Sequence, residues 1–289
     1  MLKKNLLIVT ILLISVLVMA GGKTKNKEVF IQLYSVRDDI GKDFKSTLDE
    51  LAKIGYAGIE AANYNNGKFY GLMPNDFKKE IESRGMQVLS SHVNKRLNNN
   101  NIAETDWNDV WKWWDQAIQA HKDAGMKYIV IPSMPLFKSL KDLKAYCDYY
   151  NQIGERCNKA GLRFGYHNHA FEFEKVENEI MYDYMLKNTD SDKVFFQMDV
   201  YWVVRGGKAP VDYFKKYPGR FLTLHIKDEK ELGQSGMVGF EAIYNNAVIA
   251  GTKQMIVEVE HYDYKPLESV KMSLDYLLKS KFVKKSYSK

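Results

Sequence analysis

From residue 29 onward two patterns alternate along the chain. Short runs rich in apolar and β-branched residues give way to longer stretches whose apolar positions lie three and four apart. The runs predict strands at Val29–Tyr34, Tyr56–Glu60, Gln87–His92, Lys127–Ile131, Arg163–Asn168, Val194–Asp199, Phe221–Ile226 and Gln254–Glu260. The longer stretches predict helices over about 43–54, 74–84, 107–124, 138–160, 176–188, 209–217, 239–250 and 266–279. Gly55, Gly85, Gly125, Gly161 and Gly251 each follow a helical stretch and precede a strand, where a helix needs a stop.

Eight strands alternating with eight helices over residues 29–280 match the count and size of a (β/α)8 TIM barrel. The competing open doubly wound sheet carries a glycine-rich turn after its first strand. Here that strand runs into "YSVRDDIGKD", which has no such turn. The pattern therefore predicts one barrel domain over 29–280 and a C-terminal tail over 281–289.

Residues before 29 do not fit this pattern. Lys3 and Lys4 precede an apolar run from Leu6 to Ala20, and Val18-Met19-Ala20 has the small-residue form of a cleavage site. This predicts a signal peptide over 1–20, a basic linker over 21–28, and an exported, periplasmic or secreted, domain. No stable membrane span is expected after cleavage. Loss of Lys3 and Lys4 takes the net charge from +6 to +4. The remaining charges are interspersed and form no patch suited to nucleic acid. Cys147 and Cys157 fall on one predicted helix, about 15 Å apart. That exceeds the roughly 7 Å a disulfide spans, so no disulfide is expected. An oligomer is compatible with the sequence.

A barrel builds its active site at the C-terminal ends of its strands. Six of the eight predicted strands close on ionisable residues: Glu60, His92, His167 with His169, Asp199, His225 with Lys227, and Glu258 with Glu260. Residues two apart share a face of a strand. If those faces point inward, His167, Asp199, His225 and Glu258 converge from four neighbouring strands. Singly, each reads as a hydrogen-bonded rim residue; together, two imidazoles and two carboxylates suit one divalent metal, Mn foremost with Zn, Fe or Co compatible. Glu60 and His92 are placed across the mouth from that set as acid/base candidates, with Lys227 as a third catalytic candidate or a partner of Asp228. His169, Trp202 and Glu260 are candidates for binding substrate, Trp202 as a platform for a sugar ring. His121, Trp107, Trp111 and Trp114 read as packing residues on a helix.

The segments "QLYSVRDD", "GYAGIEAA", "GYHNHAFEFE", "QMDVYWVVRGG", "YPGRFLTLHIKD" and "IVEVE" resemble the xylose-isomerase-like barrel superfamily, and within it proteins described as sugar phosphate isomerase/epimerases. The resemblance implies one divalent metal, often Mn, held by four residues from strands five to eight. Asp199, His225 and Glu258 match three of those ligands. Where such epimerases carry a glutamate on strand five, the alignment reaches Gly165, and the nearest candidate on that face is His167. The resemblance further implies enolisation of a sugar, leading to epimerisation, isomerisation, or β-elimination from a 3-keto glycoside. Export argues for a non-phosphorylated sugar or glycoside, because phosphorylated sugars are made with cytoplasmic ATP. A non-catalytic carbohydrate-binding barrel with a vestigial metal site is the alternative. A DNA-repair endonuclease of the same superfamily would need more ligands, a basic face and a cytoplasmic address.

Overall fold

The computed structural model of the protein describes residues 27–95, 97, 102 and 105–287. The expected signal peptide, and all of the expected linker but residues 27 and 28, lie outside the described residues. Eight parallel strands close into a barrel: β1 (Phe30–Gln32), β2 (Gly58–Ala61), β3 (Gln87–His92), β4 (Tyr128–Ile131), β5 (Arg163–His167), β6 (Val194–Asp199), β7 (Thr223–Ile226) and β8 (Gln254–Val257). Each is followed by a principal helix: α1 (Phe44–Ile54), α2 (Pro74–Glu82), α3 (Trp107–Asp123), α4 (Leu140–Ala160), α5 (Met181–Asn188), α6 (Pro210–Lys216), α7 (Phe240–Ala250) and α8 (Pro266–Lys279). Strand neighbours follow chain order, and β1 pairs with β8 to close the ring. No helix among the described residues is long and apolar enough to cross a membrane.

Local chemistry sets these boundaries. Asp43 caps α1 by accepting from the Ser46 N–H at 3.0 Å, and Ser139 caps α4 by accepting from the Asp142 N–H at 3.2 Å. Gly161 ends α4 at φ +82, a conformation that a Cβ disfavours. The other four expected glycine stops lie in the same region of φ.

Three features depart from the periodic reading. The helix expected over 176–188 starts only at Met181, because Glu177 and Asn178 both take positive φ and turn a small hairpin between Lys175–Val176 and Glu179–Ile180. A second unexpected hairpin, Tyr64–Asn65 with Lys68–Phe69, turns at Asn66-Gly67 after β2. Strand eight stops at Val257, so Glu258 and Glu260 lie just beyond it.

The core has two layers. Phe30, Leu89, Tyr128, Val130, Phe195 and Ile256 fill the lower barrel interior. A larger cluster lies between the strands and the helices. Trp114 is fully buried there and donates to the Tyr149 hydroxyl, while Trp107 and Trp111 stack partly buried beside it. Cys147 and Cys157 are buried and free. His121 is also buried, bonded through Nδ1 to the Ala117 carbonyl and packed on Tyr64 and Phe69.

The end of the expected linker is bonded to the C-terminal part of the barrel. Lys27 Nζ donates to the carbonyls of Leu277, Leu278 and Ser280 at 3.0, 2.7 and 2.6 Å, capping the C-terminus of α8. The Glu28 N–H donates to the Lys285 carbonyl at 2.9 Å, so the start and end of the described chain are tied together.

Candidate active site

The upper barrel interior is polar where the lower is apolar. Gln32, Glu60, Gln197, Asp199 and His225 are all fully buried, and His167 nearly so. The β5–β6 register pairs His167 with Gln197, and the β6–β7 register pairs Asp199 with His225. The sequence-predicted set His167, Asp199, His225 and Glu258 is brought together, each residue offering a ligand atom within 4.8 Å of the others. His92, His167 and His225 form a second such group.

The fixed orientation of each member has a local cause. Asp199 ends β6 and caps the short helix Val200–Arg205, its Oδ1 accepting from the Trp202 N–H at 3.0 Å. Its Oδ2 is buried with no partner. Asn168 Oδ1 accepts from the Asp199 N–H at 3.1 Å and from the Tyr182 hydroxyl at 3.2 Å, which locks the tops of β5 and β6 together. His167 Nδ1 is likewise buried without a partner. His225 is held at both nitrogens: Nε2 lies 2.6 Å from Glu60 Oε1, and Nδ1 lies 3.2 Å from Glu258 Oε2.

The electrostatics match a cation site. Burial, reinforced by the Glu258 charge, pushes the Asp199 carboxyl up to about 8. Burial also holds the His167 imidazole well below its ordinary value, so it is neutral and able to donate a lone pair. Burial opposes a charge on His225, but Glu258 and Glu60 outweigh it and lift the imidazole to about 10. Burial opposes ionisation of Glu258 as well, and His225 outweighs it, holding that carboxyl down at about 2. Unpaired buried polar atoms cost about 1–3 kcal/mol each. A divalent ion held by this set would suit residues with such orphaned atoms, and a mixed N/O donor set is what Mn, Zn, Fe and Co take. The residues present therefore fit a metal.

The structure sharpens three sequence-based placements. Glu60 and His92 come from β2 and β3, across the ring from β6 and β7, yet they are not held apart from this set. An eight-stranded barrel is only wide enough for facing side chains to meet at its axis. Glu60 touches His225 there, and His92 stacks 5.2 Å from the His225 ring and 5.0 Å from His167. Second, Lys227 does not pair with Asp228. Its buried Nζ lies 2.8 Å from Glu260 Oε2, while Asp228 accepts from the Glu229 and Gly233 N–H groups. Third, Gly165 is one layer below the site, paired with Phe195. A Cβ there would sit 2.5 Å from the Phe195 ring, so no carboxylate fits at 165, and His167 alone reaches the site from β5.

Beside the four-residue set opens a cavity of about 600 Å³. His92, His167, His169, Glu258 and Glu260 line it, with Tyr34, Asn63, Tyr64, Asn65 and Asn94. No lysine or arginine is in its wall among the described residues. Trp202 is not in the wall; it packs against His169, Tyr201 and Lys227, and the aromatic rings that face the cavity are Tyr34 and Tyr64.

Sequence reasoning missed Gln32, Ser90, Asn168 and Glu172. Gln32 and Ser90 were legible only as polar residues inside otherwise apolar strands. The pairing of β2 with β3 passes from Ile59↔Val88 to Glu60↔Ser90, so Leu89 is an extra residue. That bulge turns Ser90 toward Glu60 and re-aims His92, which strict alternation from Gln87 would not do.

The family described as xylose isomerase-like TIM barrel matches residues 48–280. A sugar phosphate isomerase/epimerase from Parabacteroides distasonis superposes with a TM-score of 0.85 at 34% identity, over 91% of this chain and 98% of that one. An inosose dehydratase from Lacticaseibacillus casei is 25% identical over 214 residues, which is 67% of this chain and 66% of the relative. The chain thus spans just under two thirds of the length of that curated relative. An IolI protein solved with a zinc atom shares the fold, with a TM-score of 0.68 at 14% identity over 91% of this chain and 100% of that one.

Proposed function

The chain belongs to the xylose isomerase-like TIM barrel family, and on that premise we propose that it removes a proton next to the carbonyl of a non-phosphorylated sugar or keto glycoside, using one divalent metal held by His167, Asp199, His225 and Glu258. The observation that carries this reading is the convergence of those four residues, two with unpartnered buried polar atoms, beside a cavity whose wall includes His167 and Glu258. A bound divalent ion would polarise the carbonyl and acidify the neighbouring C–H.

The residues divide the remaining work. Glu258 is committed to the ion, and His92 is tied through Nε2 to Gln197 Oε1 at 2.7 Å and to Glu60 Oε1 at 3.2 Å. That leaves His169 and Glu260 on the wall to take and return protons. His169 lines the wall directly, and Glu260 Oε2 lies 2.8 Å from the Lys227 ammonium. Lys227 is fully buried and absent from the wall, so it acts through Glu260 rather than on the substrate. Asn63, Asn65 and Asn94 suit neutral hydroxyls, and the tyrosine rings suit a sugar face. A described wall with two carboxylates and no lysine or arginine disfavours a phosphate, in keeping with the export proposed from the N-terminal sequence.

Removal of the proton is shared by the reactions for which the relatives are named. An epimerase returns it on the other face, an isomerase returns it to the neighbouring carbon, and a dehydratase expels a β-substituent. The test is NMR of keto sugars, keto glycosides and their phosphates incubated in D2O with protein of known metal content. Metal-dependent deuterium uptake next to the carbonyl of the uncharged substrates is expected. Stoichiometric metal without exchange or turnover would leave only carbohydrate binding, and faster exchange with phosphorylated sugars would overturn the substrate class.

A further inference from the structure

We propose that Glu60 is a positioning residue for the metal site: its buried carboxylate accepts the hydrogen bond of the His225 Nε2–H and so directs Nδ1 toward the metal. The inference rests on the reading of the four-residue set as a metal site. Glu60 is fully buried, lies outside the cavity wall, and belongs to neither group of potential ligands. Its two oxygens are saturated. Oε1 receives Gln32 Nε2 at 2.8 Å and His225 Nε2 at 2.6 Å, with His92 Nε2 at 3.2 Å; Oε2 receives Ser90 Oγ at 2.6 Å and Gln197 Nε2 at 2.9 Å. A carboxylate so enclosed has no lone pair left for a substrate, and its one link to the proposed ligands is His225.

That link has a direction. A neutral imidazole carries its proton on one nitrogen and a lone pair on the other. Nε2 faces Glu60, whereas Nδ1 faces Glu258, the next member of the set. With the Glu60 oxygens fixed as acceptors by Gln32, Ser90 and Gln197, a ring that binds metal through Nδ1 keeps its proton on Nε2. A carboxylate on the far nitrogen of a ligating histidine orients the ring and raises its basicity, and its loss costs about 10–100-fold in metal affinity. The network therefore spends donors from β1, β3, β6 and β7 on the tautomer of one ligand.

The experiment uses zinc, which is diamagnetic, and reads two things. Long-range 15N–1H NMR of the zinc-loaded wild type is expected to show the His225 proton on Nε2 and the metal on Nδ1. Chelator competition is expected to show Glu60→Gln binding zinc about 10–100-fold more weakly, with urea unfolding of both proteins metal-free as the control for packing. A lower metal-free stability with unchanged zinc affinity would make Glu60 a core residue only and overturn the proposal. A proton on Nδ1 in the wild type would overturn it even if Glu60→Gln fails to fold. Wild-type protein that binds no zinc would overturn this proposal and the metal site together, whereas normal binding with unaltered Glu60→Gln affinity overturns this one alone.

Discussion

Glu172 should make the folded protein less stable as pH rises through neutrality. Its carboxyl is buried beneath the loop after β5, where Oε1 accepts from the Tyr166 hydroxyl at 2.7 Å and Oε2 from the His169 N–H at 2.9 Å. Burial without a cation pushes it from 4.5 up to about 7, against the pull of those two hydrogen bonds. The folded protein thus keeps this proton to higher pH than the unfolded chain does. No cost arises below about pH 4.5, where both states are protonated. Stability is then lost as pH rises through about 7. Each tenfold difference in proton affinity between the two states is worth about 1.4 kcal/mol, so the whole loss is about 3 kcal/mol. Glu172→Gln keeps the shape and cannot ionise. In urea titrations of metal-free protein between pH 4.5 and 8, the variant should gain about 3 kcal/mol on the wild type, and other titrating groups cancel in the difference. A wild-type-to-variant difference that stays constant over that range would refute the reasoning.

Four further outcomes are expected. Ala at Asp199, His225 or Glu258 should lower metal content and activity together with the circular dichroism unchanged; full metal occupancy in all three would sink the site. His167→Ala should lose metal, whereas His169→Ala should keep it and lose turnover; if metal binding survives His167→Ala and fails in Glu260→Ala, the ligand from β5 is misassigned. Gly165→Ala should cost about 1–3 kcal/mol by forcing the Phe195 ring aside, read as a lower urea midpoint. Exported protein should begin at Gly21 by mass spectrometry, and an intact Met1 would refute cleavage after Ala20.

The sequence by itself determined the barrel, because that signal is local and repeated. Each apolar run and each helical stretch can be read within its own window, and glycines such as Gly55 and Gly161 mark the joins. It also determined that ionisable residues gather at strand ends, since the end of a run is visible without knowing its neighbours. Even so, the hairpin at Glu177-Asn178 hid inside a helical pattern, because a two-residue turn is too short to break a period. What only the tertiary structure decided is which of those residues meet. Glu60 and His225 are 165 positions apart and share no local signal, yet closure of eight strands brings them to 2.6 Å at the barrel axis. The bulge at Leu89 depends on how β2 and β3 pair, and a one-residue slip there reverses the facing of Ser90 and His92. Likewise Gly165 and His167 look equivalent on one strand face, and only the ring of Phe195, packed from the next strand, shows that one has no room for a side chain and the other opens on the site. Periodicity fixes direction along one strand, but the meeting of side chains at the axis depends on the register between strands, which no single strand encodes.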